Sequence, residues 1–312
     1  MNSLSTDKSN NYPIGIFLWR RHAHLDTILQ EIIKYGPSKL YLYIDGARNH
    51  DDEVGINNVL QTCRLNLNNV AFEVSYDIAK EHLGLNKRFR SGLNHLFTNE
   101  LCAIVLEDDT IPSPFFFEFC SYYLKNCYHR TDIVAINGFF KSNNMFLSKH
   151  DIKGAFTHHI FNPWGWASWS HKILPLYNPD LKKVDWWQGL WVFSMWWNFD
   201  LYRLRLKLLN DVKSGKLQTW DVQLQWSIFL AHKKVLTTPI NLISNVGNDT
   251  LASTFVASSK DFNQPLETAN SLIFDNPIKH IIDYDKLLCH SKSNYRFIIK
   301  RITQLKDKLF LR

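Results

Sequence analysis

Residues 101–119 read LCAIVLEDDTIPSPFFFEF, and the interpretation of the whole chain depends on this stretch. The apolar run 101–106 is typical of a strand that is buried on both faces of a sheet. It leads directly into three acids, Glu107, Asp108 and Asp109. Adjacent carboxylates repel one another unless a cation lies among them, and a hard divalent ion that also binds phosphate oxygens would supply that charge. The alternative reading of such a triplet is a solvated turn after a strand.

Three apolar runs upstream predict further strands, and each is followed by a helical pattern. The strands are predicted at 14–19, 39–44 and 70–76, and the helices end at Gly36-Pro37 or span 51–65 and 85–98. Strands that alternate with helices at this spacing indicate βαβ units. We therefore predict an α/β fold with a mostly parallel sheet flanked by helices.

Charged residues follow the predicted strands at the point where each strand ends. Arg20 follows the first strand and Asp45 the second, as the acidic triplet follows the strand at 101–106. Ligands of parallel sheets bind at the carboxyl ends of the strands, so these residues support a binding site independently of the triplet.

The chain changes character after a further strand predicted at 133–136. Eight of the eleven tryptophans lie within 156–197, and a helix is predicted over about 185–210. Most of these rings are expected to form the core of a second subdomain. For Trp164-Gly165-Trp166 we give equal weight to the core and to a tight backbone turn beside a ligand. Glycine allows the backbone to approach a ligand closely, and aromatic rings cover sugar faces.

Asp221 lies in the first turn of a helix predicted from 220 to about 232. An acid at that position is favoured by the helix dipole, and this is its simplest role. A strand is predicted at 235–240, and the polar stretch 253–275 has the composition of a mobile lid.

Composition and charge restrict the class of protein. The net charge is +7, and the segment 292–312 has seven Lys or Arg and one acid, which favours a local basic tail over a nucleic-acid-binding surface. That tail has the spacing of an amphipathic helix, which either binds anionic membrane or packs on the domain. Five scattered cysteines without a CxxC pair indicate a reducing compartment. With no apolar leader and no long apolar run, we expect a cytoplasmic protein.

Several kinds of chemistry are disfavoured because their motifs are absent from the sequence. There is no GxGxxG after a strand, no GxxxxGK[ST], no HExxH and no GxSxG. What remains is a metal held by carboxylates, a set of cations for a diphosphate and a distant acid, Asp221. The cations are Arg20, Arg48, Lys87 and Arg88. This is the minimum set for sugar transfer from a nucleotide donor.

The chain resembles GT-A-fold inverting glycosyltransferases related to N-acetylglucosaminyltransferase I, and more closely bacterial nucleotide-diphospho-sugar transferases of polysaccharide gene clusters. The matching motifs cover about 14–255 in the order of the family. They are FLWR at 17–20, YIDG at 43–46, HLGL at 82–85, VLEDD at 105–109, PFF at 114–116, WGWASW at 164–169, WD at 220–221 and NVG at 245–247.

The resemblance implies roles for the acidic residues. Asp109 would bind the metal, Mn²⁺ or Mg²⁺, while Glu107 and Asp108 would contact the sugar and ribose of a donor, probably UDP-linked. Asp221 would be the base that deprotonates the acceptor hydroxyl, which attacks C1 and inverts it. N-acetylglucosaminyltransferase I has a membrane anchor, and none is expected in this chain. The acceptor of that enzyme is therefore not implied here.

The resemblance also implies nucleotide contacts for Arg20 and Asp45, and Arg88 lies near where the family has a donor contact. Arg48, named above among the cations, would bind the diphosphate. Many GT-A enzymes carry a late histidine as a second metal ligand, but none lies between 233 and 279. The metal is therefore expected to be held mainly by Asp109, donor phosphates and water.

These expectations divide the chain into five parts. They are a disordered N-terminus (1–12), a nucleotide-sugar-binding half (13–140), an acceptor-side half with Asp221 (141–255), a flexible or lid region (256–290) and a basic amphipathic helix (291–312). The acceptor is expected to be a glycan or a lipid-linked glycan, and the tail a peripheral contact with anionic membrane. Two alternatives stay open, a sugar nucleotidyltransferase and a non-catalytic glycan-binding protein.

Overall fold

The computed structural model describes residues 11–141, 144–181, 184, 186–247, 266, 274 and 277–285. Most of the N-terminal segment 1–12, most of the predicted lid and the whole of the predicted C-terminal helix lie outside these residues. Those three predictions therefore stay predictions.

Eleven strands and nine helices form the described part of the chain. The first half has β1 (Ile14–Leu18), α1 (Leu25–Tyr35), β2 (Lys39–Ile44), α2 (His50–Leu67), β3 (Glu73–Ile78), α3 (Leu85–Asn99), β4 (Cys102–Glu107), β5 (Thr110–Pro112), α4 (Pro114–Asn126) and β6 (Ile133–Asn137). The second half has α5 (Asn144–Lys149), β7 (Phe156–His158), β8 (Trp166–Trp169), α6 (Ser170–Leu176), α7 (Trp186–Trp196), α8 (Phe199–Lys213), α9 (Asp221–Leu230), β9 (Lys234–Thr237), β10 (Ile243–Asn245) and β11 (Lys279–His280).

Nine of the strands form one sheet in the order β11-β7-β9-β6-β8-β4-β1-β2-β3. The run β4-β1-β2-β3 is parallel throughout, and β6 pairs with β9 in parallel as well. β8 lies between β4 and β6 and is antiparallel to both. The predicted fold class, an α/β fold with a mostly parallel sheet flanked by helices, is confirmed.

Alternating side chains of the central strands enter two different apolar cores. In β4, Ile104 and Leu106 pack with α1, α2 and α4 on one face, while Ala103 and Val105 pack on the other face. Both faces are apolar because helices cover both, and this produces the continuous hydrophobic run seen in the sequence. The strand predicted at 101–106 is confirmed with its start at Cys102, since Leu101 is exposed.

The tryptophan-rich region differs from the prediction of one helix over 185–210. Two helices, α7 and α8, are separated at Trp197 and Asn198. Trp197 has a φ of 46°, which a helix cannot accommodate, and the Asn198 side chain accepts a hydrogen bond from the backbone of Leu201 to cap α8. These helices pack with α9 around an apolar cluster of their own, which includes Val192, Trp196 and Trp226.

Within the described ranges, none of the helices has the length and apolarity needed to cross a membrane.

Candidate functional site

The candidate site lies where β1, β2 and β4 end at the same edge of the sheet. Parallel pairing sets Leu18 beside Ile44 and Phe17 beside Glu107, so the loops that follow these strands emerge next to one another. The predicted gathering of charged residues at this edge is therefore observed.

A guanidinium group from the β1 loop lies between two acids of the triplet. Arg21 Nη1 is 2.8 Å from Asp108 Oδ1 and 3.0 Å from Asp109 Oδ2. Arg21 is buried and the two aspartates are half-buried, so the pairs are largely shielded from water. Repulsion between these acids requires a cation among them. Arg21 supplies one from the chain itself.

The acids nevertheless carry more negative charge than Arg21 balances. Burial raises the pKa of Glu107 well above its usual range, with further increases from the charges of Asp109, Asp108 and Asp221. Burial also raises the pKa of Asp108 to about 7, while Arg21 acts in the opposite direction. Asp221 therefore lies within electrostatic range of the triplet, although it comes from the other half of the sequence.

Asp221 is placed by the start of α9. It lies in the first turn of that helix, half-buried, and the Thr219 hydroxyl donates a hydrogen bond to its Oδ1. The preceding ring, Trp220, is buried and stacks on Phe89 at 4.4 Å, which fixes the start of the helix against the sheet core. Burial raises the pKa of Tyr177, and the charge of the Asp221 carboxylate raises it further.

The backbone of the NVG motif at 245–247 lies directly against Asp109. Val246 N donates to Asp109 O at 2.8 Å, and Asn245 Nδ2 donates to Asp109 Oδ1 at 3.4 Å. A Cβ at Gly247 would lie 2.3 Å from Asp109 Oδ2, so a larger residue there would displace the Asp109 carboxylate. Antiparallel pairing of β10 with β5 brings the motif to this position.

Arg20 and Arg48 form a second cluster beside the triplet. Both pair with the buried carboxylate of Asp52, Arg20 at 2.9 Å and Arg48 at 2.7 Å. Both guanidinium groups also lie over the ring of Trp19, at 4.6 and 4.5 Å from its centroid. The Arg48 side chain is 47% exposed and remains accessible to a phosphate, whereas Arg20 is more deeply placed.

Trp19 links this cluster to the acids. Its backbone N donates to Asp108 Oδ2 at 3.3 Å, and its indole Nε1 donates to the carbonyl oxygen of Gly46 at 3.1 Å. The loops after β1, β2 and β4 are thus joined by direct hydrogen bonds.

Asp45 holds a loop of the protein. Its carboxylate accepts hydrogen bonds from the backbone N of Leu83 and Gly84 at 2.9 and 3.0 Å, and His82 Nδ1 lies 3.0 Å from it. This explains the HLGL motif at 82–85 as the partner of Asp45. The predicted nucleotide contact of Asp45 stays a prediction, but its carboxylate is buried and already bonded.

Arg88 is placed away from the acids. It is buried, pairs with Asp77 at 3.2 Å and lies 5.4 Å from the ring of Tyr43. Among the described residues no contact joins it to the acidic triplet. Its predicted donor contact stays a prediction.

The WGW motif belongs largely to the core, which corrects the expectation of a ligand surface. The Trp166 ring has no exposed area and packs against Phe161 and Trp220, so it cannot cover a sugar. Gly165 has a φ of 64°, and a Cβ there would lie 2.4 Å from Ile243 Cδ1. Close packing against Ile243 therefore explains the glycine. Trp164 remains half-buried, with its ring edge-on to Phe139.

The residues present fit a divalent cation that is shared with a ligand. Within the described part of the chain, no group of three or more His, Cys, Asp or Glu side chains is arranged as a closed metal site. Burial is the main cause of the raised pKa values of Glu107 and Asp108, and the charge of the neighbouring Asp109 raises both further. A hard cation held by one or two carboxylates, with phosphate oxygens and water as its other ligands, matches such a site.

Sequence reasoning missed Arg21 and Asp52. Arg20 and Arg21 are adjacent in an irregular loop, and no periodicity indicates which of them faces the acids. Asp52 is one of three acids in the first turn of α2, and its burial depends on the two arginines that reach it.

Comparisons with known proteins give distant structural similarity only. No family model matches the chain, and no curated protein matches it. A 4-diphosphocytidyl-2C-methyl-D-erythritol synthase from Anaerococcus prevotii is 13% identical over 56% of this chain and 79% of its own, with a TM-score of 0.35. A UDP-glucose pyrophosphorylase complexed with UDP-glucose is 11% identical over 73% and 90%, with a TM-score of 0.36. HddC from Yersinia pseudotuberculosis is 12% identical over 56% and 87%, with a TM-score of 0.32. This level of similarity assigns the chain to no family.

Proposed function

We propose that the protein is a metal-dependent inverting glycosyltransferase that uses a nucleotide sugar, UDP-linked, and a glycan acceptor of surface polysaccharide or glycoconjugate synthesis. The observation that carries the proposal is the convergence of Asp221 with the acidic triplet. Its charge contributes to the raised pKa of Glu107, although α9 and β4 belong to different halves of the chain. A base on one side of a pocket and a metal-binding acid on the other are the two groups that inverting transfer needs.

The acids after β4 would hold the donor. Asp109 is the proposed metal ligand, and a divalent ion bound there would neutralise the charge that grows on the leaving diphosphate. Glu107 and Asp108 are the proposed partners of sugar and ribose hydroxyl groups, which donate to carboxylates. Arg48, half-exposed above Trp19, is the cation best placed to approach a phosphate.

Asp221 would act on the acceptor. The Thr219 hydroxyl occupies one carboxylate oxygen, which leaves the other to accept the proton of the acceptor hydroxyl. In the proposed step the acceptor oxygen forms a bond to C1 as the bond from C1 to the diphosphate oxygen breaks. The proton moves to Asp221, and the nucleoside diphosphate leaves.

A panel of nucleotide sugars tests this proposal in two stages. Thermal stabilisation with and without Mn²⁺ identifies the donor, because a bound ligand raises the melting temperature by mass action. Release of UDP from that donor is then followed with Mn²⁺ present. We expect metal-dependent release that is abolished in Asp109→Ala. Donor turnover that is unaffected by chelation or by Asp109→Ala would contradict the proposal.

Two further measurements distinguish the alternatives. A nucleotidyltransferase would form pyrophosphate from a sugar phosphate and a nucleoside triphosphate. A glycine-rich phosphate loop is not supported at the N-terminal strand, because Gly15 lies within β1 and a Cβ there would be 2.7 Å from Leu96 Cδ2. Gly15 thus allows β1 to pack closely against Leu96. A glycan-binding protein would bind oligosaccharide in calorimetry without nucleotide or metal.

A further inference from the structure

Helix α7 exposes an apolar surface that the described part of the chain leaves largely uncovered, although His232 stacks on one of its rings, Trp191. Its inner face is formed by Gly189, Val192, Met195 and Trp196, which are buried. Its outer face is apolar too, and we define the α7 apolar face as Trp187, Leu190, Trp191, Trp197 and the adjoining Phe199. Their exposed fractions are 56, 54, 38, 79 and 64%.

Three of these residues share one side of α7, and the other two follow at its C-terminal end. Positions 187, 190 and 191 are three and four residues apart and share one side of the helix. Trp197 follows at the break between α7 and α8, and Phe199 opens α8. Single exposed apolar residues are common, but five exposed apolar residues within positions 187–199, four of them aromatic, indicate an interaction surface.

A basic stripe continues from this face along α8. Phe199, Arg203 and Lys207 are spaced four residues apart, so they lie along one side of the helix. From 199 to 216 the exposed charged residues are one acid, Asp200, and four bases, Arg203, Lys207, Lys213 and Lys216. A partner that matches this surface therefore has an apolar region next to negatively charged groups.

We propose that the α7 apolar face and the basic stripe of α8 bind the surface of an anionic lipid bilayer. Tryptophan and phenylalanine enter the boundary between headgroups and acyl chains, and each nearby Lys or Arg adds attraction to anionic lipid. Exposed rings on a helix suit a flat surface, whereas a sugar would need a concave site. The proposal does not depend on the proposed enzymatic activity.

Vesicle binding by the full-length protein tests the proposal. We expect sedimentation with phosphatidylcholine vesicles that contain about one-third phosphatidylglycerol, and much weaker binding to phosphatidylcholine alone. Trp197→Ser/Phe199→Ser is expected to weaken binding about tenfold or more, since it removes two membrane-inserting rings. Arg203→Gln/Lys207→Gln is expected to weaken it about tenfold at low salt and little at high salt.

The matched control is Arg64→Gln/Leu65→Ser. It removes an exposed base and an exposed apolar residue from α2, where Leu65 is 73% exposed, and it should leave binding unchanged. Circular dichroism and melting temperature verify that each variant is folded.

Quenching by brominated lipids distinguishes this surface from the basic C-terminal segment. All eleven tryptophans precede residue 227, and none lies in 292–312. We expect bound vesicles to quench tryptophan fluorescence, and Trp187→Phe/Trp197→Phe to lose much of the quenching while still binding. Binding without quenching would overturn the proposal, as would equal binding by Trp197→Ser/Phe199→Ser and the control. A dimer that becomes a monomer in Trp197→Ser/Phe199→Ser would identify a self-interface and overturn it as well.

Discussion

The guanidinium group of Arg21 donates a hydrogen bond to the carboxylate of Asp108 over 2.8 Å. The same nitrogen reaches Asp109, so a single side chain from the loop after β1 balances two acids that follow β4. The stability of the fold and the charge state of the candidate site are therefore connected through this residue.

Replacing Arg21 with Met is expected to destabilise the protein by about 3 kcal/mol at neutral pH, because it leaves two shielded carboxylates without their cation. Unfolding in denaturant measures the loss. Arg90→Met is the control, since Arg90 pairs with Asp180 at 3.6 Å where both side chains are 55% exposed. That pair should contribute less than about 1 kcal/mol. Equal losses in the two variants would show that Arg21 does not hold the acids together.

Asp108→Asn is expected to become more stable relative to the wild type as pH rises. The pKa of Asp108 is raised from 3.8 to about 7. The Asp108 carboxyl group therefore makes its full contribution to the stability of the wild type below pH 3.8, and this contribution is lost as pH rises through about 7. Asparagine does not titrate and avoids this loss. Between about pH 4.5 and about pH 8 the variant should gain about 1–3 kcal/mol on the wild type in denaturant unfolding. A difference that is independent of pH would contradict the assignment.

Asp52→Asn is expected to show the opposite sign. Hydrogen bonds from Arg48 lower the pKa of Asp52 from 3.8 to about 2, so its contribution is present above 3.8 and lost as pH falls through about 2. The variant should be less stable than the wild type at neutral pH, with the difference decreasing in acid. Acid titration of both proteins, followed by circular dichroism, measures this.

Gly165→Ala and Gly215→Ala separate backbone strain from steric overlap. Both glycines have positive φ, 64° and 74°, but a Cβ at Gly165 would overlap Ile243 whereas nothing lies within 4 Å at Gly215. Gly215→Ala should cost about 1 kcal/mol, and Gly165→Ala about 2–5 kcal/mol. Similar melting temperatures for the two variants would show that the packing at Gly165 is loose.

Asp221→Asn is expected to slow turnover by about 10²–10⁴-fold while the affinity for donor stays unchanged, because asparagine cannot take the acceptor proton. UDP release and calorimetric titration of the donor measure the two quantities. Asp200→Asn is the matched control, since Asp200 also lies in the first turn of a helix. A rate in Asp221→Asn equal to that of the control would remove Asp221 from the mechanism.

The regular part of the fold followed from periodicity and composition. β1, β2 and β4 are apolar on both faces because helices cover the sheet on both sides, and this pattern is visible in the sequence as continuous hydrophobic runs. β3 is offset from its predicted position at 70–76, because it is an edge strand with a less apolar pattern.

Features that depend on tertiary packing did not follow from the sequence. β8 is four residues long, and its first residue, Trp166, was considered as part of a turn beside a ligand. The strand lies between β4 and β6, and its two rings are buried in different apolar cores. Arg21 could not be distinguished from Arg20, since only the loop geometry decides which guanidinium group reaches the acids. The acids themselves could be predicted because they directly follow a buried strand.

The antiparallel strand β8 also limits how the molecule can move. It hydrogen-bonds to β4 on one side and β6 on the other, while Trp220, at the start of α9, stacks on its Trp166. A hinge rotation that separated the acidic triplet from Asp221 would have to break this strand pairing. The acidic triplet and Asp221 are thus both held by elements of one continuous sheet and the helix packed on it.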